Sequence, residues 1–232
     1  MTKGQAWFWL SLLCTCSGRA GIPSLYRSTP PWAVHVYTDG ARGSLYTAGL
    51  GCGAVSADWW LFLPWSRAIN NGRPTADGRS LDRCMSALEL VGPLAAVCAR
   101  PDAFRGRPAT FWVDNAGSVF IWQKGYSMSC ALSSTLVSAL AVVGAGLGCH
   151  IDVRKILRCS TPLADMSDAL SKSQFSRFWA LSRSAGLSLP LEPEPVPPEL
   201  LLWVLDPKVD WSLGERLLQG ALKRRCSSPP RV

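Results

Sequence analysis

Four carboxylates, Asp39, Glu89, Asp114 and Asp168, stand at positions from which oxygen-ligand chemistry could be done. Acidic residues are scarce in this chain, and Glu89 is its single glutamate before residue 192. Each of the four belongs to a different predicted element, so they meet only if the fold gathers them. Converging carboxylates repel one another. They coexist when they are protonated or when hard cations neutralise them, and an all-oxygen ligand set suits Mg2+ or Mn2+ with retained waters. Two such ions about 3.5–4 Å apart clamp a phosphodiester, one activating water and the other stabilising the leaving 3′-oxygen. That is nuclease chemistry without a histidine or serine nucleophile.

The elements that must position these groups follow from hydrophobic spacing. Ala33 to Thr38 alternates and is rich in β-branched and aromatic residues, which predicts a strand closed by Asp39-Gly40. Gly49 to Val55 and Trp59 to Trp65 read as two further strands around a turn at Ala57-Asp58. From Ser80 to Ala99 the apolar positions 81, 84, 88, 91 and 95 keep helical spacing, with Ser80 as N-cap and Pro93 predicting a kink or an early end. Thr110 to Val113 is a short strand stopping at Asp114-Asn115. Ala116 to Lys124 is a helix that Gly125 terminates, and Leu132 to Val143 is another. Gly148 to Ile156 returns to strand, and Leu163 to Leu181 reads as one last helix starting near Thr161-Pro162. Three strands followed by strands separated by helices demand an α/β fold, with a mixed sheet and helices packed against it.

At 232 residues the chain is long enough for a large core, and 48% hydrophobic content excludes a disordered protein. A net charge of +8 suggests attraction to a polyanion. The nine cysteines contain no C-x-x-C pair and only two histidines accompany them, which argues against zinc. They read as free thiols in a reducing compartment. Residues 1–31 form an N-terminal lead in which Ala6 to Cys14 has the shape of a signal peptide, or equally of a packed or interfacial helix. Its nine residues fall short of the roughly 20 that span a bilayer. An intracellular location is expected, with secretion as the alternative. The body spans 32–186, a stiff proline-rich linker 187–199, and a short helical unit with a basic tail 200–232.

Tyr37-Thr38-Asp39-Gly40-Ala41, Gly49-Leu50-Gly51-Cys52-Gly53-Ala54, Ala87-Leu88-Glu89-Leu90, Phe111-Trp112-Val113-Asp114-Asn115 and Ser167-Asp168-Ala169-Leu170-Ser171 occur in that order. Together they resemble the ribonuclease H domain of retroelement reverse transcriptases, of gypsy type or DIRS type, over roughly residues 32 to 182. The resemblance implies a five-stranded mixed sheet of order 3-2-1-4-5 with flanking helices. It implies Asp39, Glu89, Asp114 and Asp168 as catalytic ligands of two Mg2+ or Mn2+ ions. Its implied activity is hydrolysis of the RNA strand of RNA:DNA hybrids, and other domains of a retroelement polyprotein are further implied partners. Asp165 is a rival to Asp168, which is preferred because Ala-Leu-Ser-Lys follows it directly. The stretch Leu157 to Thr161, where ribonucleases H often carry a histidine, has none. No Tyr-x-Asp-Asp-like element occurs, so polymerase activity is not expected.

Each residue also has a plainer reading. A strand-ending Asp is commonly a turn former or helix cap, Glu89 could be solvated at the stripe's edge, and Asp168 could serve its helix's positive end. Asn115 could orient substrate or cap a helix. Arg42, Lys124, Arg154, Lys155, Arg158, Lys172 and Arg177 could line a phosphate track or form an ordinary solvated surface. The tryptophans read as core or sheet-face residues, and His35 and His150 as structural. The alternative function is an inactive nucleic-acid-binding or scaffold remnant of the same fold.

Overall fold

The computed structural model describes residues 32–41, 50–65, 84–157 and 160–225. The N-terminal lead, Arg42, Ser80 and Arg158 lie outside them. In chain order the described elements are β1 (Val34–Gly40), β2 (Gly51–Val55), β3 (Trp60–Pro64), α1 (Met85–Ala99), α2 (Pro101–Phe104) and β4 (Ala109–Val113). They continue with α3 (Ala116–Lys124), α4 (Ala131–Gly146), β5 (Ile151–Lys155), α5 (Pro162–Ser171), α6 (Phe175–Ser184), α7 (Pro198–Leu205) and α8 (Leu213–Arg225).

The five strands form one sheet in the order β3-β2-β1-β4-β5. β1–β2 and β2–β3 pair antiparallel, and β1–β4 and β4–β5 pair parallel. This is the mixed α/β architecture expected, consistent with a ribonuclease H-like fold. Alternation along β1 and β4 sends Val34, Val36, Phe111 and Val113 into the larger core, which α1 and α4 share. The opposite face receives α5 and α6 around Val55, Trp60, Met166, Leu170 and Phe178.

Two expectations about helices are corrected. Of the kink or early end expected at Pro93, the early end is overturned, since α1 runs through it to Ala99. Every residue from Ala87 to Cys98 is buried, and packing of that whole surface outweighs the roughly 3 kcal/mol an interior proline costs. The single last helix is instead two. Ser173 adopts φ 56°, its N–H donates to the Leu170 carbonyl, and the Gln174 N–H donates to that of Ala169. This is a Schellman turn with serine where glycine is usual, and it lets α6 fold back onto Trp60, which touches both Phe178 and Trp179.

The proline-rich stretch runs along the sheet's β3 edge. The Glu194 N–H donates to the Trp60 carbonyl, Trp60 Nε1 donates to the Pro190 carbonyl at 2.8 Å, and Arg100 pairs with Glu194 at 2.7 Å. A segment poor in N–H donors caps the edge without extending the ladder. The C-terminal helices, expected as a short helical unit, contribute Leu200, Trp203, Val204, Leu213 and Leu217 to the same core as the sheet. Their apolar faces are too small to be buried alone. Among the described residues no helix is long and apolar enough to cross a membrane.

Candidate metal centre

The register of the two central parallel strands brings the first two acids together. Tyr37 stands opposite Trp112, so two residues further along each strand Asp39 and Asp114 leave the same end of the sheet side by side, on the same face. This is the carboxyl end of the parallel strands, where open α/β sheets form their crevices. The third acid comes from α1. A Cβ at Gly40 would lie 2.9 Å from the Leu88 carbonyl oxygen, so only glycine permits this approach of strand and helix. Glu89 is thereby brought beside the strand ends, and its carboxylate accepts a hydrogen bond from the Gly40 N–H.

One oxygen from each of Asp39, Glu89 and Asp114 lies within 4.8 Å of the others. Asp39 and Glu89 are buried, 7% and 2% exposed, and Asp114 is half-buried. Burial pushes the Asp39 carboxyl up to about 6, and the neighbouring charges of Asp114 and Asp168 add to the rise while the Ser171 hydroxyl and Lys172 oppose it. Burial likewise raises Glu89 well above the usual carboxylate range, reinforced by Asp39 and Asp114. The Oε2 atom of Glu89 is buried with no hydrogen-bond partner. A buried carboxylate oxygen left this way costs free energy. A hard divalent cation relieves both the orphaned oxygen and the crowding of like charge, so this donor set fits Mg2+ or Mn2+.

Asp168 is adjacent but differently engaged. It sits on α5, and its carboxylate is paired with Lys172 and, at 3.4 Å, with Arg177. Its charge still acts on Asp39. Asp165, a half-buried residue of the first turn of α5, is not among the charges felt at Asp39. The structure therefore gathers three of the four expected acids and holds the fourth beside them.

A further residue, Ser171, figures in the sequence reading only as the end of the Ser167-Asp168-Ala169-Leu170-Ser171 motif, with no role of its own. Fully buried, it donates its hydroxyl proton to Asp39 Oδ2. This contact exists because α5 lies directly on β2 at Gly53, the partner of Asp39 across the β1–β2 ladder. A Cβ there would come within 2.4 Å of Leu170 Cβ. The available signal was that Ser171 follows Asp168 by three positions, on the same helix face. Asn115 proves to be a cap, accepting from the Ser118 N–H at 3.0 Å. It also receives the Ser86 hydroxyl at 3.5 Å, which ties the start of α3 to the first turn of α1. Of the basic residues considered for a phosphate track, Arg154 pairs with Asp152 at 2.6 Å. Lys172 and Arg177 are held by Asp168, Lys124 lies over the Phe120 ring, and Lys155 is exposed. His35 accepts from Trp112 Nε1 at 3.1 Å, a structural role.

Compared with protein-family models, with curated proteins and with solved structures, the chain has no significant match.

Proposed function

We propose that this protein is a metal-dependent endonuclease that hydrolyses the RNA strand of RNA:DNA hybrids, akin to the ribonuclease H part of a retrotransposon reverse transcriptase. The observation that carries this reading is the convergence of Asp39, Glu89 and Asp114 from three separate elements to within 4.8 Å. Divalent cations bound there supply Lewis acidity toward water and a phosphodiester oxygen. The chain's own residues do the rest. Asp39, Glu89 and Asp114 hold the cations, Ser171 fixes the orientation of Asp39, and the Gly40 N–H fixes that of Glu89. Asp168 contributes negative charge at the margin. Recognition of a hybrid rests on contacts to phosphates and 2′-hydroxyls, with little base specificity, and the positive balance of the chain favours such a ligand.

A labelled RNA:DNA hybrid incubated with the full chain, with and without Mg2+, tests the reading. The expected result is Mg2+-dependent shortening of the RNA strand to products ending in 3′-hydroxyls, with the DNA strand untouched. The pairing of Asp168 with Lys172 and Arg177 favours a second reading, a binding or scaffold protein of the same fold. Salt-dependent hybrid binding with no cleavage at any Mg2+ or Mn2+ concentration would support that reading instead.

A further inference from the structure

Two buried cysteines outside the acidic centre face each other across the larger core. Cys84 is the N-cap of α1 and Cys130 the N-cap of α4. They are 46 residues apart in sequence, and the Cys130 thiol donates to Cys84 Sγ at 2.9 Å. Both are buried, 3% and 7% exposed, and both are reduced here. Their backbones are anchored. The Cys84 carbonyl accepts from the Ala87 and Leu88 N–H groups. The Cys130 N–H donates to Ser127 Oγ at 3.1 Å, and the Ser127 N–H donates to Ser134 Oγ at 2.8 Å. A disulfide needs about 2.05 Å between sulfurs, so bond formation asks for less than about 1 Å of movement.

From this geometry we infer that Cys84 and Cys130 are a site of reversible disulfide formation, closed by a small peroxide. One thiolate attacks an oxygen of hydrogen peroxide, the O–O bond breaks, and a sulfenic acid and one water result. The second thiol displaces the sulfenic oxygen as a second water and the S–S bond forms. Two thiols and one peroxide thus become one disulfide and two waters, the sulfurs oxidised and the peroxide reduced. A dithiol such as dithiothreitol reverses the bond by exchange. The bond staples the first turn of α1, the helix that carries Glu89, to the first turn of α4. The inference stands on the sulfur pair alone and does not depend on the reading of the acidic centre.

The test uses the full wild-type chain treated with hydrogen peroxide, alkylated with iodoacetamide under denaturing conditions, and digested without reduction. Mass spectrometry is expected to find a peptide pair joining Cys84 to Cys130, lighter by two hydrogens than its parts. The pair should disappear on treatment with dithiothreitol and be missing from Cys130→Ser. The oxidised wild type is expected to melt about 5–10 °C higher than the reduced form, and Cys130→Ser to show no such rise. Recovery of Cys84 and Cys130 both alkylated, or of either as an unlinked sulfinic acid, would overturn the inference. So would linkage of these cysteines mainly to others.

Discussion

The hydroxyl of Ser171 donates to Oδ2 of Asp39 across 132 positions of sequence, joining α5, on the sheet's second face, to the end of its first strand. A contact of this kind fixes which way a ligand carboxylate points. Removing such an outer partner typically costs 10–100-fold in metal affinity or activity. Ser171→Ala is therefore expected to weaken Mn2+ binding, measured calorimetrically, by about tenfold or more, with the circular dichroism spectrum unchanged. Unaltered affinity would remove Ser171 from the account.

The raised Asp39 and Glu89 carboxyls predict how stability depends on pH. Asp39 ionises at about 6 in the folded chain rather than at 3.8, so folding favours its protonated form. Its contribution to metal-free stability is complete below about pH 4 and is lost as pH rises through about 6, a change of about 3 kcal/mol. Glu89 is shifted in the same direction. Cations compete with those protons, so their binding strengthens as pH rises. The increase in melting temperature on adding Mn2+ should be larger at about pH 7.5 than at about pH 5. Equal increments at both pH values would contradict a carboxylate site.

Asp168 and Asp165 are separated by their effect on the centre. Asp168 acts on Asp39 and Asp165 does not. Asp168→Asn is expected to lower hybrid cleavage about 10–100-fold, whereas Asp165→Asn should stay close to wild type. The reverse order would exchange their roles.

Gly40 sets the approach of the helix that bears Glu89. Gly40→Ala would press a methyl group on the Leu88 carbonyl, which is backbone and cannot swing aside. A loss of about 1–3 kcal/mol in urea unfolding is expected, together with weaker cation binding as Glu89 is pushed from Asp39. A variant as stable as wild type would show that the helix can back away freely.

Much of the sheet was legible in the sequence because its strands alternate cleanly and end on residues that stop strands, as Val34 to Gly40 and Ala109 to Val113 do. The order of the elements then leaves few topologies and demands a mixed sheet, while the place of β4 beside β1 was expected from the resemblance to the ribonuclease H domain and is what the sheet shows. Asp39, Glu89 and Asp114 were readable for the same reason, since strand ends and a neighbouring helix face are positions that period-counting locates. Three features were not. The break at Ser173 carries no glycine to announce it, and the docking partner of Leu200 to Leu205 cannot be inferred from an apolar run alone. The passage of α1 through Pro93 reflects tertiary burial that local propensity does not contain. The engagement of Asp168 by Lys172 lay in plain four-residue spacing, yet its second partner Arg177 reaches it only because the chain turns at Ser173.

Cleavage of a labelled RNA:DNA hybrid by Asp114→Asn beside wild type, both in Mg2+ and both shown folded by circular dichroism, probes the acidic centre most directly. Asparagine keeps the shape of the side chain and removes its charge. The wild type should cut the RNA strand and Asp114→Asn should leave it at the no-enzyme background. Equal cutting by the two proteins would mean that the gathered carboxylates are not where hydrolysis happens.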